Sequence, residues 1–440
     1  MHIKSQNIDM LHGPLAGKIL LFAVPVALSN MLQQLFNAAD TAVVGLFNDT
    51  NALAAVGTNA EIIALIVSVS TGLAVGANLL AANRIGRNEA DKIPEAVQTA
   101  ILLAVVIGII GGILGQLVCK PLLILIQTPN AILSEAALYL RIYLIGYPFL
   151  LLYDFASAIL RARGDSRYPF IALTVSGVAN IILNLFFAAV LGMGVAGVAA
   201  ATAISTALSA ALVLWRLAKD MKLHICRPYI LQSDVGEILK AGIPAAVQGA
   251  VFCFANIFVQ ASVNTFGETA IAGSTIAMNF EYFTYYIITA FGQAATTFTG
   301  QNFAAGSRKR CRRISGISLA LSTVCSSIPI FAIALFRDFF SGLFTSDAAV
   351  IESASARVMC ILFFEPLCNL YEIPAGYLRG RGHSLYPAIA TMIGTCAFRI
   401  FWIFTVFREN PALTVLYHAF PLSWIVTVVL VNIGLLLNEK

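Results

Sequence analysis

Apolar residues run along this chain in stretches of about 20, the length an α-helix needs to cross a hydrocarbon layer about 30 Å thick. Such stretches fall near 16–44, 52–80, 95–118, 134–158, 168–190, 194–216, 236–262, 270–299, 314–335, 355–377, 386–407 and 414–436. Each is predicted to be a helix, because lipid offers no partner for exposed backbone N–H and C=O groups. Polar residues interrupt the first stretch. Asn30, Gln33, Gln34, Asn37 and Thr41 recur at intervals of three and four, which places them along one helix face with Asp40 beside it. An ionisable group at the bilayer centre costs at least ~2.5–3.5 kcal/mol, so this stripe should face a wet cavity and not lipid. Asp40 lies far from the cytoplasmic start of the helix, and Pro25 supplies a bend that keeps the outer half inside the bundle.

The pattern repeats. "YDFASAILRARGDSRYPFI" (153–171) returns as "YEIPAGYLRGRGHSLYPAI" (371–389), an offset of 218, and Pro25 and Pro244 stand at corresponding places in the first helix of each half. Each half holds six stretches, an even number, so both enter the membrane the same way round. The expected fold is an all-α integral membrane protein with twelve transmembrane helices in two six-helix bundles, related by a pseudo-twofold axis along the membrane normal. The expected boundaries are 1–218 for the first bundle, 219–235 for a cytoplasmic linker and 236–440 for the second.

Composition agrees with the pattern. Of 440 residues, 59% are hydrophobic and 11% charged, against roughly 25% charged in a soluble domain. A net charge of +5 raises nucleic acid as a partner, but its distribution argues against that reading. Lys and Arg gather in alternate loops, among them Arg84, Arg87 and Lys92, then Arg161, Arg163 and Arg167, then Arg308, Lys309, Arg310, Arg312 and Arg313. Basic loops resist translocation, so both termini are expected in the cytoplasm of a cell whose inner membrane holds the chain. The five histidines are far apart, the eight cysteines show no CxxC spacing, and no phosphate-binding G-x-x-x-x-G-K-[ST] loop is present. An enzyme is not expected, nor a cofactor or a resident metal. A secondary transporter is.

Depth along each helix sorts the remaining polar residues. Asn180 and Asn184 on the fifth stretch and Thr202 on the sixth reach the outer half of the first bundle, the level of Asp40. Gln33, Gln34, Glu61, Gln248, Asn256, Glu281 and Arg399 are candidates for lining a substrate cavity. Glu281 is best placed to hold a cation, while Arg399 is expected to pair with Glu365, Glu372 or Glu281. Asp154 and Glu372 are repeat mates, each seven residues before an arginine, Arg161 or Arg379. They are expected to form ion pairs that anchor the inner gate.

"ADTAVVG" closing the first stretch, "ALAAVG" opening the second, "LRARGDS" after the fourth and "LRGRGHS" after the tenth resemble the multidrug and toxic compound extrusion (MATE) family over essentially the whole chain. The resemblance implies an antiporter, coupled to H⁺ or Na⁺, that exports amphipathic and often cationic small molecules. It further implies a cation or proton site at Asp40, Asn180 and Thr202, with Asn37 and Asn184 beside them. Asn184 departs from members that carry a second acid there, which leaves H⁺ and Na⁺ both open, and a possible Na⁺ at Asp40 is the one metal in view. Membrane lipid and small amphipathic molecules are the expected partners of a monomer. The alternative is a flippase for lipid-linked oligosaccharides, which share the superfamily's architecture.

Overall fold

The computed structural model describes residues 7–47, 50–126, 128–221 and 231–438. All its regular structure is helical. In the first half, α1 (Ala16–Phe47), α2 (Thr50–Gly86), α3 (Ile93–Leu125), α6 (Arg167–Leu185) and α7 (Gly194–Met221) are single long helices. The fourth span is a pair, α4 (Asn130–Ile145) and α5 (Tyr147–Ala162), bent by 44°. The second half answers with α8 (Gln232–Asn264), α9 (Glu268–Ala304), α10 (Arg308–Leu335) and the short α11 (Arg337–Gly342). It continues with α12 (Ala348–Cys360) and α13 (Asn369–Gly380), α14 (Leu385–Thr391) and α15 (Phe398–Trp402), and α16 (Leu413–Asn438). A 3-10 stretch, Leu362–Cys368, containing Pro366, joins α12 to α13. π-helical turns at Met392–Ala397 and Ile403–Phe407 flank α15.

Among the described residues, nine helices are long and apolar enough to cross a membrane, and the bent pair makes ten. The two expected spans that fall short of that measure are α9 and the broken α12–α13. They carry Glu281, Arg357, Glu365 and Glu372, charges that lower their hydropathy and whose partners are described below.

Backbone geometry confirms the repeat. Gly164 and Gly382, 218 apart, close the turn after "LRARG" and "LRGRG" with φ of +87° and +88°. Asn88 and Gly306, also 218 apart, take φ of +57° and +77° in the turns after α2 and α9. Left-handed backbone at mated positions is what two copies of one structural unit produce, since only Gly or Asn occupies it cheaply.

The chain forms two compact units. One takes Leu28–Gly242 and the residues up to Ile8, and the other takes Asp9–Ala27 and Ile243–Lys440. The change of unit therefore falls inside α1 and α8, not in the expected linker 219–235, of which 222–230 lie outside the described residues. Local contacts give the reason. The first turns of α8 are held on the first unit by Arg84, which donates to Asp234 at 2.5 Å, and by Asn83, which donates to Glu237 at 2.7 Å. The segment before α1 is held on the second unit, where Asn302 Nδ2 donates to the Met10 carbonyl at 3.0 Å. Met10 is itself buried.

Candidate ion-coupling site

Three helices of the first unit bring one acid to neutral polar partners. Asp40, three turns from the change of unit in α1, is 6% exposed. Asn184 of α6 donates to its Oδ1 at 2.5 Å, and Thr202 of α7 donates to its Oδ2 at 2.9 Å. Asn180, one turn before Asn184 on the same face, accepts from Asn184 Nδ2 at 3.1 Å and reaches Thr202 Oγ1 at 3.5 Å. Among the described residues no Lys, Arg or His forms an ion pair with Asp40. The side-chain oxygen of Asn184 is buried without a hydrogen-bond partner. Three of the residues expected around the acid are thus assembled, and the Asn37 side chain lies outside the described residues.

The Thr202 hydroxyl has a second acceptor, the Val198 carbonyl at 3.0 Å. One hydroxyl hydrogen serves one acceptor at a time. With Asp40 ionised, the hydrogen points to the carboxylate. With Asp40 protonated, the carboxyl donates to Oγ1 and the hydroxyl hydrogen turns back to Val198. The site can hold either state without leaving a buried donor stranded.

The other expected residues divide. Gln33 and Gln34 are half-buried on α1, while Glu61 is exposed on α2. Its neighbour Asn59 is buried and ties α2 to α4, donating to the Ala55 carbonyl at 2.9 Å and the Ala136 carbonyl at 3.0 Å. Asp154 accepts from Ser70 Oγ at 2.6 Å, with Arg161 acting on it electrostatically. Its repeat mate Glu372 pairs with Arg379 at 3.3 Å, as expected.

Two expectations for the second unit change. Glu281 is not open to a cationic ligand: its carboxylate takes both Nε (2.7 Å) and Nη2 (2.9 Å) of Arg357. Arg357 is 3% exposed, donates also to Ser274 at 2.5 Å, and lies over the rings of Tyr417 and Phe420. Arg399 pairs with none of the three acids. Its Nε donates to Ser423 at 3.1 Å and its guanidinium sits 4.0 Å from the Phe420 ring centroid, because Arg357 already holds Glu281, Arg379 holds Glu372 and the Thr284 hydroxyl donates to Glu365 at 2.5 Å. Gln248, expected in a cavity, accepts from Arg379 at 3.1 Å and belongs to that cluster. Asn256 is half-buried on α8. Arg357 was not among the expected residues, although an arginine inside an apolar run signals a buried partner.

Comparison with known proteins points to one family. The MatE family model matches residues 25–186 and again 244–405. "Probable multidrug resistance protein YpnP" of Bacillus subtilis is 26% identical over 396 residues, covering 90% of this chain and 88% of that one. "Probable multidrug resistance protein NorM" of Thermotoga maritima is 28% identical over 396 residues, covering 87% and 84%. A multidrug resistance MATE transporter solved in an outward-facing conformation superposes with a TM-score of 0.89 at 20% identity, over 99% of this chain and 97% of that one. At that identity the last match speaks for the fold.

Proposed function

This chain belongs to the MATE family of membrane transporters, and from that premise we propose that it exports amphipathic, often cationic small molecules by alternating access, in exchange for an ion taken up at Asp40. The observation that carries this reading is the buried Asp40 carboxylate, held by neutral donors from α6 and α7 with no counter-charge among the described residues. A carboxylate in that setting is poised between charged and neutral states, since burial penalises the charge and the donors favour it. Ion occupancy then decides how the three helices pack.

Two ions fit the donor set. A proton on Asp40 uses the Thr202 switch between the carboxyl and Val198. A sodium ion would be held by Asp40 with the side-chain oxygens of Asn180, Asn184 and Thr202, and the unpartnered Asn184 oxygen is available for it once the amide turns. The chain acts as a monomer in the inner membrane with both termini in the cytoplasm, the side on which its basic loops gather. Related proteins named for multidrug resistance support the substrate class.

The test compares wild type with Asp40→Asn in proteoliposomes at matched incorporation, following drug efflux after a pH jump and separately after a sodium jump. Asn fixes the site in a neutral state and is cheaper than Asp to bury. The variant should insert normally and lose efflux under one gradient, which names the ion. Wild-type efflux under both would remove Asp40 from the coupling mechanism.

A further inference from the structure

At the end of α10 away from the basic loop, the second unit carries charges of both signs that its own side chains leave unpaired. A cavity of about 580 Å³ opens there between α11 and α12, within the range of about 300–1,000 Å³ that ligand sites occupy. Arg337 and Asp338 of α11 line it together with Glu352 and Ser355 of α12, while Ile351 and Met359 supply apolar wall. Asp338 accepts from Ser355 Oγ at 2.6 Å, and Arg337 Nη1 donates to the Ala334 carbonyl at 3.3 Å. Among the described residues Arg337, Asp338 and Glu352 form no ion pair, with one another or elsewhere.

The common scaffold does not require this opening. At the 218 offset Arg337, Ile351 and Ser355 correspond to Cys119, Leu133 and Ala137 of the first unit. There Cys119 Sγ donates to the Ala137 carbonyl at 3.6 Å, and both residues belong to an apolar cluster on which Leu133 packs. The first unit's α3 runs unbroken through these positions to Leu125, whereas the second unit interrupts the helix at Phe336, whose φ of −108° and ψ of +31° leave helical values. The interruption sets two charged residues, Arg337 and Asp338, where the first unit has Cys119 and Lys120. Leu335, Phe336, Phe339 and Leu343 beside the cavity are exposed, as apolar and aromatic side chains are at the level of lipid headgroups.

We propose that this cavity holds the headgroup of a zwitterionic phospholipid with a primary ammonium, phosphatidylethanolamine, its phosphate on Arg337 and its ammonium on Asp338 and Glu352. A guanidinium presents a planar fork of N–H donors that matches phosphate oxygens. An ammonium carries N–H donors in three directions, and the two carboxylates supply acceptors for them. A plain anion in the same place would face two acids, and a plain cation would face Arg337. A ligand carrying both charges meets all three residues with opposite charge. Its acyl chains would lie over the exposed Leu335 and Phe336, which is why the apolar surroundings favour a lipid over a free zwitterion of the same headgroup.

Native mass spectrometry of the delipidated full chain in detergent counts the lipid it takes up during titration with dioleoyl phosphatidylethanolamine, phosphatidylcholine or phosphatidylglycerol. Choline has no N–H and glycerol no cation, so the ethanolamine lipid should bind about tenfold more tightly than either, the factor that one charge-assisted hydrogen bond carries. Glu352→Gln should abolish that preference without weakening phosphatidylglycerol, and Arg337→Gln should weaken all three lipids. Glu352 is exposed, so its variant should keep the wild-type melting temperature and carries the test even where Arg337→Gln fails to fold. Equal binding of the three lipids, or a preference that survives in Glu352→Gln, would overturn the proposal. So would displacement of the lipid by equimolar phosphoethanolamine, which would make the ligand a soluble molecule, or by tetraphenylphosphonium, which would make the cavity a site for exported cations.

Discussion

Glu281→Gln tests whether the second unit's buried charges are structural. The substitution keeps size and removes the charge that balances Arg357, whose side chain is 3% exposed and bound through two nitrogens at 2.7 and 2.9 Å. Breaking a buried pair by removing one partner costs about 3–5 kcal/mol, because the remaining charge is left uncompensated. Two features move the cost toward the lower end. The Glu281 side chain is 14% exposed, and the Tyr417 and Phe420 faces still hold the guanidinium, each contributing about 0.5–2 kcal/mol. A loss near 3 kcal/mol should lower the midpoint of thermal unfolding by about 6–12 °C for a unit of this size. Tryptophan emission of detergent-purified protein is a suitable readout, since Trp424 packs in the cluster that contains Tyr417 and Phe420. Positions 63 and 139, mates of 281 and 357 at the 218 offset, hold Ile and Tyr, which pack together in an apolar cluster. Installing that pair in the second unit, Glu281→Ile with Arg357→Tyr, should cost far less than Glu281→Gln alone, as replacing a buried pair by apolar residues commonly does. A Glu281→Gln protein within about 1 kcal/mol of wild type, a shift of about 2–4 °C, would refute the structural role and return Glu281 to the substrate.

Two shorter predictions follow from the turns and the topology. Gly164→Ala should destabilise more than Gly382→Ala in the same melting assay: both pay about 1–2 kcal/mol for a side chain at positive φ, but the new Cβ at 164 also lands 2.4 Å from the Ile8 carbonyl oxygen, whereas at 382 it meets open space. In a cysteine-free background, Lys309→Cys, exposed at the start of α10, should react with an impermeant maleimide only after the membrane is opened, and labelling in intact cells would reverse the topology. The native Cys311 two residues on is buried and is a poor reporter.

What the sequence made legible was periodic or chain-internal. Apolar stretches predicted the helices because each one is long enough to dominate its local composition. The repeat predicted two like halves, and its identical short motifs account for the same left-handed backbone at 164 and 382. Asp40, Asn184 and Thr202 were found together because depth along three helices is simple arithmetic. The Arg357 pair escaped that reasoning. Its partner lies 76 residues away, and no periodicity says which face of α9 meets α12. The unit boundary escaped too, because a basic loop looks like a linker, whereas the contacts that assign α1 and α8 come from Met10, Asp234 and Glu237.

The two halves share a backbone and exchange polarity. In the first, Asp40 and Asn184 belong to the polar site; at the 219 offset that Pro25 and Pro244 and the two family-model matches share, their mates are Val259 and Ile403, members of one apolar cluster. In the second, Ser274, Glu281 and Arg357 form a bonded cluster, while their mates Val56, Ile63 and Tyr139 are apolar neighbours in the first. The offset rises from 218 at Tyr168 and Tyr386 to 219 beyond, and the π turn Met392–Ala397 lies where the extra residue must enter, as a π-bulge accommodates one. Past that bulge Arg399 stands in register with Asn180, a fixed cation where the first unit holds a neutral amide. A positive charge there disfavours any cation at the corresponding level of the second unit. The asymmetry thus gives the polar cluster around Asp40 no counterpart at the mated positions Val259 and Ile403, and it does so through substitutions on an otherwise common scaffold.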